Sequence, residues 1–387
     1  MIISSPAHGM PSFPELLIHW VEGGESCTAQ WHSEAGVAPP KRVQVVDDTL
    51  SADAAYRLAC EGTALLWRGD FQNARQLLQA MARRFDRKPH QPVTGADAFH
   101  LRRMAQAQRA RTLGRLLIPF TAGHIIPLRR APDVRQACAE AQSPKDVAYV
   151  ASLRELLGLI GAHEWRKKGI AVSALGGMIH PHYGVFAPVR SEYVDLVADT
   201  PLPAALSSHS TAFDIGTGTG VLAAVLAKRG VAHVIATDQD ERALCCAREN
   251  LARLGLNQQV EVVQANLFPA GRAPLVLCNP PWIPARPSSP LEHAVYDPDS
   301  RMLRGFLDGL AAHLEPDGEG WLILSDLAEH LGLRTRSELL ALIDRAGLQV
   351  LGRWDVRPSH PRATDPTDPL HAARAAEVTS LWRLGQA

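Results

Sequence analysis

The sequence predicts an α/β fold: a doubly wound, mostly parallel seven-stranded Rossmann-like sheet, preceded by a mainly helical N-terminal region. Three observations carry this. From about residue 211, apolar runs of strand length alternate with segments of helical period, as in a parallel sheet covered on both faces. The first strand-to-helix junction is glycine-rich, Gly216-Thr217-Gly218-Thr219-Gly220. The chain has 387 residues, 46% of them hydrophobic, enough to bury the cores of two domains.

Residues 1–50 carry no clear period. Residues 51–85 read as two helices joined at Arg68-Gly69-Asp70. A single helical hairpin is not an array, so no repeat fold follows. The run 88–95 (KPHQPVTG) is a break, and helical patterns resume over 96–117 and 144–160. The Gly- and Pro-punctuated stretch 176–199 predicts a short hairpin leading into a helix. Seven strands follow in the segments TAFDIG, VAHVIATD, VEVVQANLF, PLVLCNPP, GWLILSDL, LQVLGRWDV and EVTSLWRL. Helices separate the first six except the third and fourth, and the last two are expected to pair antiparallel. The domains expected are 1–170, mainly helical and choosing the substrate, with an internal break near 88–95, and 171–387, carrying the sheet.

Charged residues make up 21% of the chain and the formal net charge is zero, which excludes global disorder. The six cysteines form no Cys-x-x-Cys pair, so neither a disulfide framework nor a zinc knuckle is expected, and the setting is read as reducing and cytoplasmic. No basic segment followed by an apolar core opens the chain and no apolar run is long enough to span a bilayer, so neither a signal peptide nor a membrane partner is expected. Charge is uneven: residues 83–170 hold 17 Lys and Arg against 7 Asp and Glu. That segment is either a contact for RNA or another polyanion, or a set of solvated helix faces. His180 and His182 flank Pro181, but two ligands make no metal site, and no metal is expected.

Two motifs carry chemistry. In Asp214-Ile215-Gly216-Thr217-Gly218-Thr219-Gly220, glycines allow a tight turn and close approach to a ligand. Asp238 closes the second strand, where a carboxylate can take both hydroxyls of a ribose. Together they point to a nucleoside cofactor. Dinucleotide binders favour G-x-G-x-x-G, with a helix N-terminus on the pyrophosphate. Here the spacing is G-x-G-x-G and an acid precedes it, which would repel a pyrophosphate but suits a cation. S-adenosylmethionine, with its ammonium and sulfonium, is the ligand preferred.

The second motif, Asn279-Pro280-Pro281-Trp282, ends the fourth strand on the same sheet edge. The prolines keep the backbone out of regular structure and turn a carbonyl outward. Asn279 adds a side-chain carbonyl. Two such acceptors can grip a planar NH₂, aim its lone pair at a methyl group and stabilise the charge that develops. Trp282 can stack on a flat acceptor. The long stretch 284–301 reads as a substrate-facing lid or as a surface loop.

In these motifs, in their order, residues 211–330 resemble a class I S-adenosylmethionine-dependent methyltransferase of the "methyltransferase small" type, and within it the HemK/PrmC protein-glutamine methyltransferases. The stretches HYGVFAPVRSEYVDLV and YDPDSRMLRGFLDGL are similar to the family's elements on either side of the site. The resemblance implies that Asp214, Gly216, Gly218 and Gly220 hold the methionine part of the cofactor, that Asp238 holds the ribose and that Asn266 and Leu267 border the adenine. It implies that Asn279, Pro280 and Trp282 bind the target nitrogen. Asn266 stands where the family usually has Asp, and Trp282 where it has Tyr. The expected function is methyl transfer to a planar NH₂ of a macromolecule, first a protein glutamine amide, on a protein such as a translation factor. The alternatives are the exocyclic amine of guanine or adenine in RNA, and a non-catalytic cofactor-binding module for RNA or protein. An NAD-linked dehydrogenase is a third class, separable by cofactor titration.

Overall fold

A computed structural model describes residues 16–86, 95–141, 146–206, 211–287, 292, 294–358, 365 and 368–387. The break expected over 88–95 therefore lies almost wholly outside the described residues. The chain divides into two compact units, one comprising residues up to 88 with 109–158, the other 89–108 with 159–387. The division expected at 170/171 differs from this one at both ends.

The first unit contains β1 (Leu17–Glu22), β2 (Glu25–His32), β3 (Val43–Val46), α1 (Ala52–Cys60), β4 (Ala64–Trp67) and α2 (Phe71–Asp86). After α3 (Gly95–Leu113), whose first part belongs to the second unit, come β5 (Leu116–Phe120), α4 (Arg135–Ala141), β6 (Tyr149–Ser152) and the start of α5 (Leu153–Lys168). The strands form one sheet in the order β1-β2-β6-β5-β4-β3. This corrects the expectation of a mainly helical region. Helices are present, but they accompany six strands. The misreading has a physical source. Ala64–Trp67 and Leu116–Phe120 are short runs buried at every position, and runs of that kind have no period by which a central strand differs from a buried helical turn. The join expected at Arg68-Gly69-Asp70 follows a strand, β4, instead of linking two helices.

The second unit opens, after α3 and α5, with the antiparallel hairpin β7 (Ile170–Val172) and β8 (Gly177–Ile179), then α6 (Glu192–Asp199). The expected hairpin exists but starts before residue 176. The main sheet then builds from β9 (Thr211–Ile215), α7 (Val221–Lys228), β10 (His233–Asp238), α8 (Glu241–Arg253), β11 (Val260–Gln264) and β12 (Ala273–Cys278). It is completed by α9 (Arg301–His313), β13 (Leu314–Ser325), α10 (Leu327–His330), α11 (Arg336–Arg345), β14 (Leu348–Val356), α12 (His371–Ala376) and β15 (Thr379–Gln386). Its seven strands run in the order β11-β10-β9-β12-β13-β15-β14. The first five are parallel, and β15 is antiparallel to both β13 and β14, as expected of the closing pair.

Caps start the helices where side chains can meet free N–H groups. Asp240 accepts from the Arg242 N–H at the start of α8, and Thr335 and Glu338 form a capping box at α11. Both sheet faces are covered: Val225, Val234, Leu277 and Trp321 belong to one core, Phe213, Val276, Phe306 and Trp382 to the other. The chain reverses direction across the sheet at β9, with β10 on one side and β12 on the other. That switch opens a crevice at the carboxyl ends of the strands. Among the described residues no helix is long and apolar enough to cross a membrane.

Candidate active site

A cavity of about 930 Å³ lies at this switch point. It brings Gly216, Gly218, Asp238, Asn266 and Leu267 together with Asn279, Pro280 and Trp282. Of the residues singled out from sequence, Asp214 and Gly220 do not line it.

The glycine loop is built by its own hydrogen bonds. The N–H groups of Gly216 and Thr217 both donate to the Thr237 carbonyl, at 2.9 and 2.8 Å. The Thr237 hydroxyl donates to the Leu267 carbonyl at 2.6 Å, tying the ends of β9, β10 and β11 together. Gly216 has φ 72°, a left-handed conformation that favours glycine, and a Cβ there would displace the tip of the Met302 side chain. At Gly218 an added Cβ would meet nothing within 4 Å, which leaves the loop's backbone open to a ligand. Asp238 accepts from the Gly218 N–H at 3.1 Å and from the Asp240 N–H at 3.0 Å. Burial raises its carboxyl above the usual range.

Asp214 is the main correction. The sequence reading placed it against the cofactor's cation, but it is 1% exposed and turned into the fold. It accepts from the Thr217 hydroxyl at 2.7 Å and the Ala223 N–H at 3.0 Å. The first turn of α7 leaves free N–H groups, and the acid on the neighbouring strand meets one of them. Asp214 therefore holds the loop instead of touching what the loop holds. Burial pushes its carboxyl up to about 6. Gly220, φ 80°, precedes α7 and lets it pack on Ala247, which a Cβ would approach to 3.2 Å.

The opposite rim is the end of β12. Pro280 is buried and Asn279 half-buried. Trp282, read from sequence as able to stack on a flat acceptor, is half-buried against the core, and its indole N–H donates to Asn279 Oδ1 at 2.8 Å. The described flanks of the long loop also line the cavity: Asp297 accepts from the Met302 and Leu303 N–H groups at 3.0 and 3.1 Å, capping α9.

Several lining residues escaped the sequence reading. Phe99, Arg102, Arg103 and Gln106 come from the first part of α3. Phe99 is buried with Ile283, Leu327, Leu331 and Leu370. Arg103 stacks on Tyr296 at 4.0 Å and pairs with Glu292 at 3.3 Å. Arg102 pairs with Asp368, as does Arg374 at 3.1 Å. Arg190 pairs with Glu377 at 3.1 Å. The stretch HYGVFAPVRSEYVDLV, singled out from sequence, contains Arg190; nothing local in α3 distinguishes the others from an ordinary basic helix.

His182 does meet further ligand-type atoms, since those of His182, Cys245 and Glu249 lie within 4.8 Å of one another. Arg166 already bonds both Glu249 oxygens, at 3.1 and 2.8 Å.

Comparisons with known proteins bear on the same part of the chain. Residues 178–334 match the model of the methyltransferase small domain. This part of the chain is a class I S-adenosylmethionine-dependent methyltransferase domain of the small type. The chain is similar to a release factor glutamine methyltransferase of Cereibacter sphaeroides, with 35% identity over 36% of this chain and 52% of that one. A namesake in Gloeobacter violaceus is 32% identical over 45% of this chain and 56% of its own. A ribosomal protein L11 methyltransferase of Sorangium cellulosum is 34% identical over 37% and 41%, respectively. The chain thus spans about half the length of the relatives it matches. Within the domain, the glycine loop, Asp238 and the Asn-Pro-Pro-Trp turn face one space, and the donor set suits a nucleoside: backbone amides without side chains and a carboxylate at the strand end.

Proposed function

We propose that the protein transfers a methyl group from S-adenosylmethionine to the planar NH₂ of a protein glutamine amide. The observation that carries this reading is the sharing of one cavity by the Gly216–Gly218 loop and Asn279-Pro280. Asp238 would hold the ribose and Asn266 and Leu267 the adenine side, and the bound cofactor supplies an electrophilic methyl. Asn279 Oδ1 and the Pro280 carbonyl accept from the two N–H groups of the incoming amide. Held so, the nitrogen presents its lone pair to the methyl carbon, and both acceptors stabilise the positive charge it gains. The C–N bond forms as the C–S bond breaks, the electron pair stays on sulfur, and the surplus proton leaves to water. Asp214 supports this at one remove, by holding the loop.

Ion pairing of most of the cavity's arginines supports a neutral acceptor. Of the arginines that line the cavity, Arg102, Arg103, Arg190 and Arg374 pair with carboxylates, Arg102 and Arg374 sharing Asp368; Arg242 and Arg301 line it as well. Elsewhere in the basic segment, Arg129 and Arg130 pair with Asp70, Arg84 with Asp53 and Arg166 with Glu249, all acids from outside it. A polyanion track needs cations with charge to spare. The names of the relatives, which act on a release factor and a ribosomal protein, support a protein acceptor as well.

The test is to incubate the full chain with methyl-labelled cofactor and, separately, unmethylated release factor, ribosomal protein L11 and total RNA. Label should enter protein, be freed by protease and not nuclease, and appear as N-methylglutamine on complete enzymatic digestion. Label in RNA alone would overturn the glutamine reading and favour a base amine. No cofactor binding at all would overturn methyl transfer.

A further inference from the structure

We propose that Trp282 is a positioning residue: its indole N–H locks the Asn279 carboxamide in the one orientation that offers an oxygen to the methyl acceptor. This rests on the reading of Asn279 above. The indole N–H can only donate, so the atom 2.8 Å from it must be the carbonyl oxygen, because the amide nitrogen would face it as a second donor. The oxygen has two lone pairs, so one remains for an incoming N–H. Without this bond the terminal torsion of an asparagine is broad, and a half-turn would present NH₂ to an NH₂.

The indole is itself held. Its ring packs against two faces of the core and against the cluster that contains Phe99 and Ile283. The Arg190 guanidinium lies 5.9 Å from the ring centroid. Arg190 in turn bonds Glu377, which is fully buried and accepts from the Ser325 hydroxyl at 2.7 Å. A buried carboxylate thus braces an arginine, the arginine lies over the tryptophan, and the tryptophan sets the amide. Phenylalanine at 282 would keep an aromatic ring there but present no N–H to Asn279, which separates donation from packing.

The experiment uses the full chain with S-adenosylmethionine bound, and its first readout needs no acceptor. In ¹H–¹⁵N spectra the Trp282 indole signal, identified by its loss in W282F, should shift upfield in N279A. The two Asn279 side-chain N–H signals, identified by their loss in N279A, should be sharp in the wild type and broaden or move in W282F. In the second readout, label is transferred into an extract of release factors and ribosomes. There W282F should lower kcat about three- to tenfold, the effect of one hydrogen bond, with KM and cofactor Kd unchanged. An indole signal unmoved in N279A, or W282F with full kcat while N279A is inactive, overturns the proposal. N279A with wild-type activity overturns the reading of Asn279 instead, and the spectra still report whether the bond exists.

Discussion

The two units both carry parallel strands with polar groups at their carboxyl ends, yet those groups meet different surroundings. In the first unit Asp48, just past β3, accepts from the Asp70 N–H at 3.1 Å and from the Asn73 amide at 2.9 Å. Asp70, just past β4, accepts from the Gln72 N–H at 2.9 Å and from Arg129 and Arg130 at 3.0 and 2.6 Å. A Cβ on Gly69 would lie 2.6 Å from Asp48, so the glycine there makes room for the protein's own side chain. In the second unit Gly218 opens onto free space and Asp238 faces a cavity. A glycine and two acids at strand ends are therefore no sign of a ligand by themselves. What matters is whether the fold leaves space beside them, as at Gly218 and Asp238, or fills it with its own side chains, as at Gly69.

The largest expected effect falls on the open edge. N279A should cut methyl transfer by about a hundredfold or more while cofactor binding stays intact, because it removes an acceptor used mainly as charge develops. Steady-state kinetics beside a binding titration check this. G216A comes next. The left-handed backbone and the approach of Met302 should weaken cofactor binding by about tenfold or more, readable by calorimetry. A matching G69A in the first unit should lower thermal stability and leave cofactor affinity alone.

The acids separate the units by pH. Burial raises Asp214 to about 6 in the folded state against 3.8 for an unburied aspartate, so the fold binds the extra proton between those values. Stability should then fall as pH rises from about 4 to about 6, by an amount on the order of 2 kcal/mol, and D214N should flatten that slope. Asp70 has the opposite sign. The Arg130 bond holds its carboxyl well below the usual range, against the effect of burial. Its contribution is present above the unfolded value near 4 and is lost as pH falls below it, a loss absent in D70N. Chemical denaturation across that pH range measures both slopes. The smallest effect is expected from R103A, which removes the stack on Tyr296. KM for the acceptor should rise about threefold and kcat should hold.

The second sheet was legible because its signals are local. Strand, glycine turn and helix follow one another within a few residues at 211–228, and Asn279-Pro280-Pro281-Trp282 breaks a strand where regular structure must stop. The first sheet was not legible, because its central strands are only four and five residues long and lie among helix-forming neighbours. Asp214 was recognised and misplaced. Its residue type and spacing suit a ligand, but whether an acid next to a loop faces outward or caps a helix depends on the N–H groups folding brings beside it.

Order along the chain, read locally, was enough for the α/β class of the second unit, the family and both motifs of the site, since backbone conformation at glycine and proline is set within a residue or two. Folding alone settled which partners those side chains meet. It turned Asp214 inward, brought the first part of α3 to the cavity wall, answered several arginines of 83–170, Arg102 and Arg129 among them, with acids from elsewhere, and set the Trp282 indole on Asn279. Hydrogen bonds and ion pairs between residues distant in the chain have no period or spacing in sequence; they exist only once the core has closed around them.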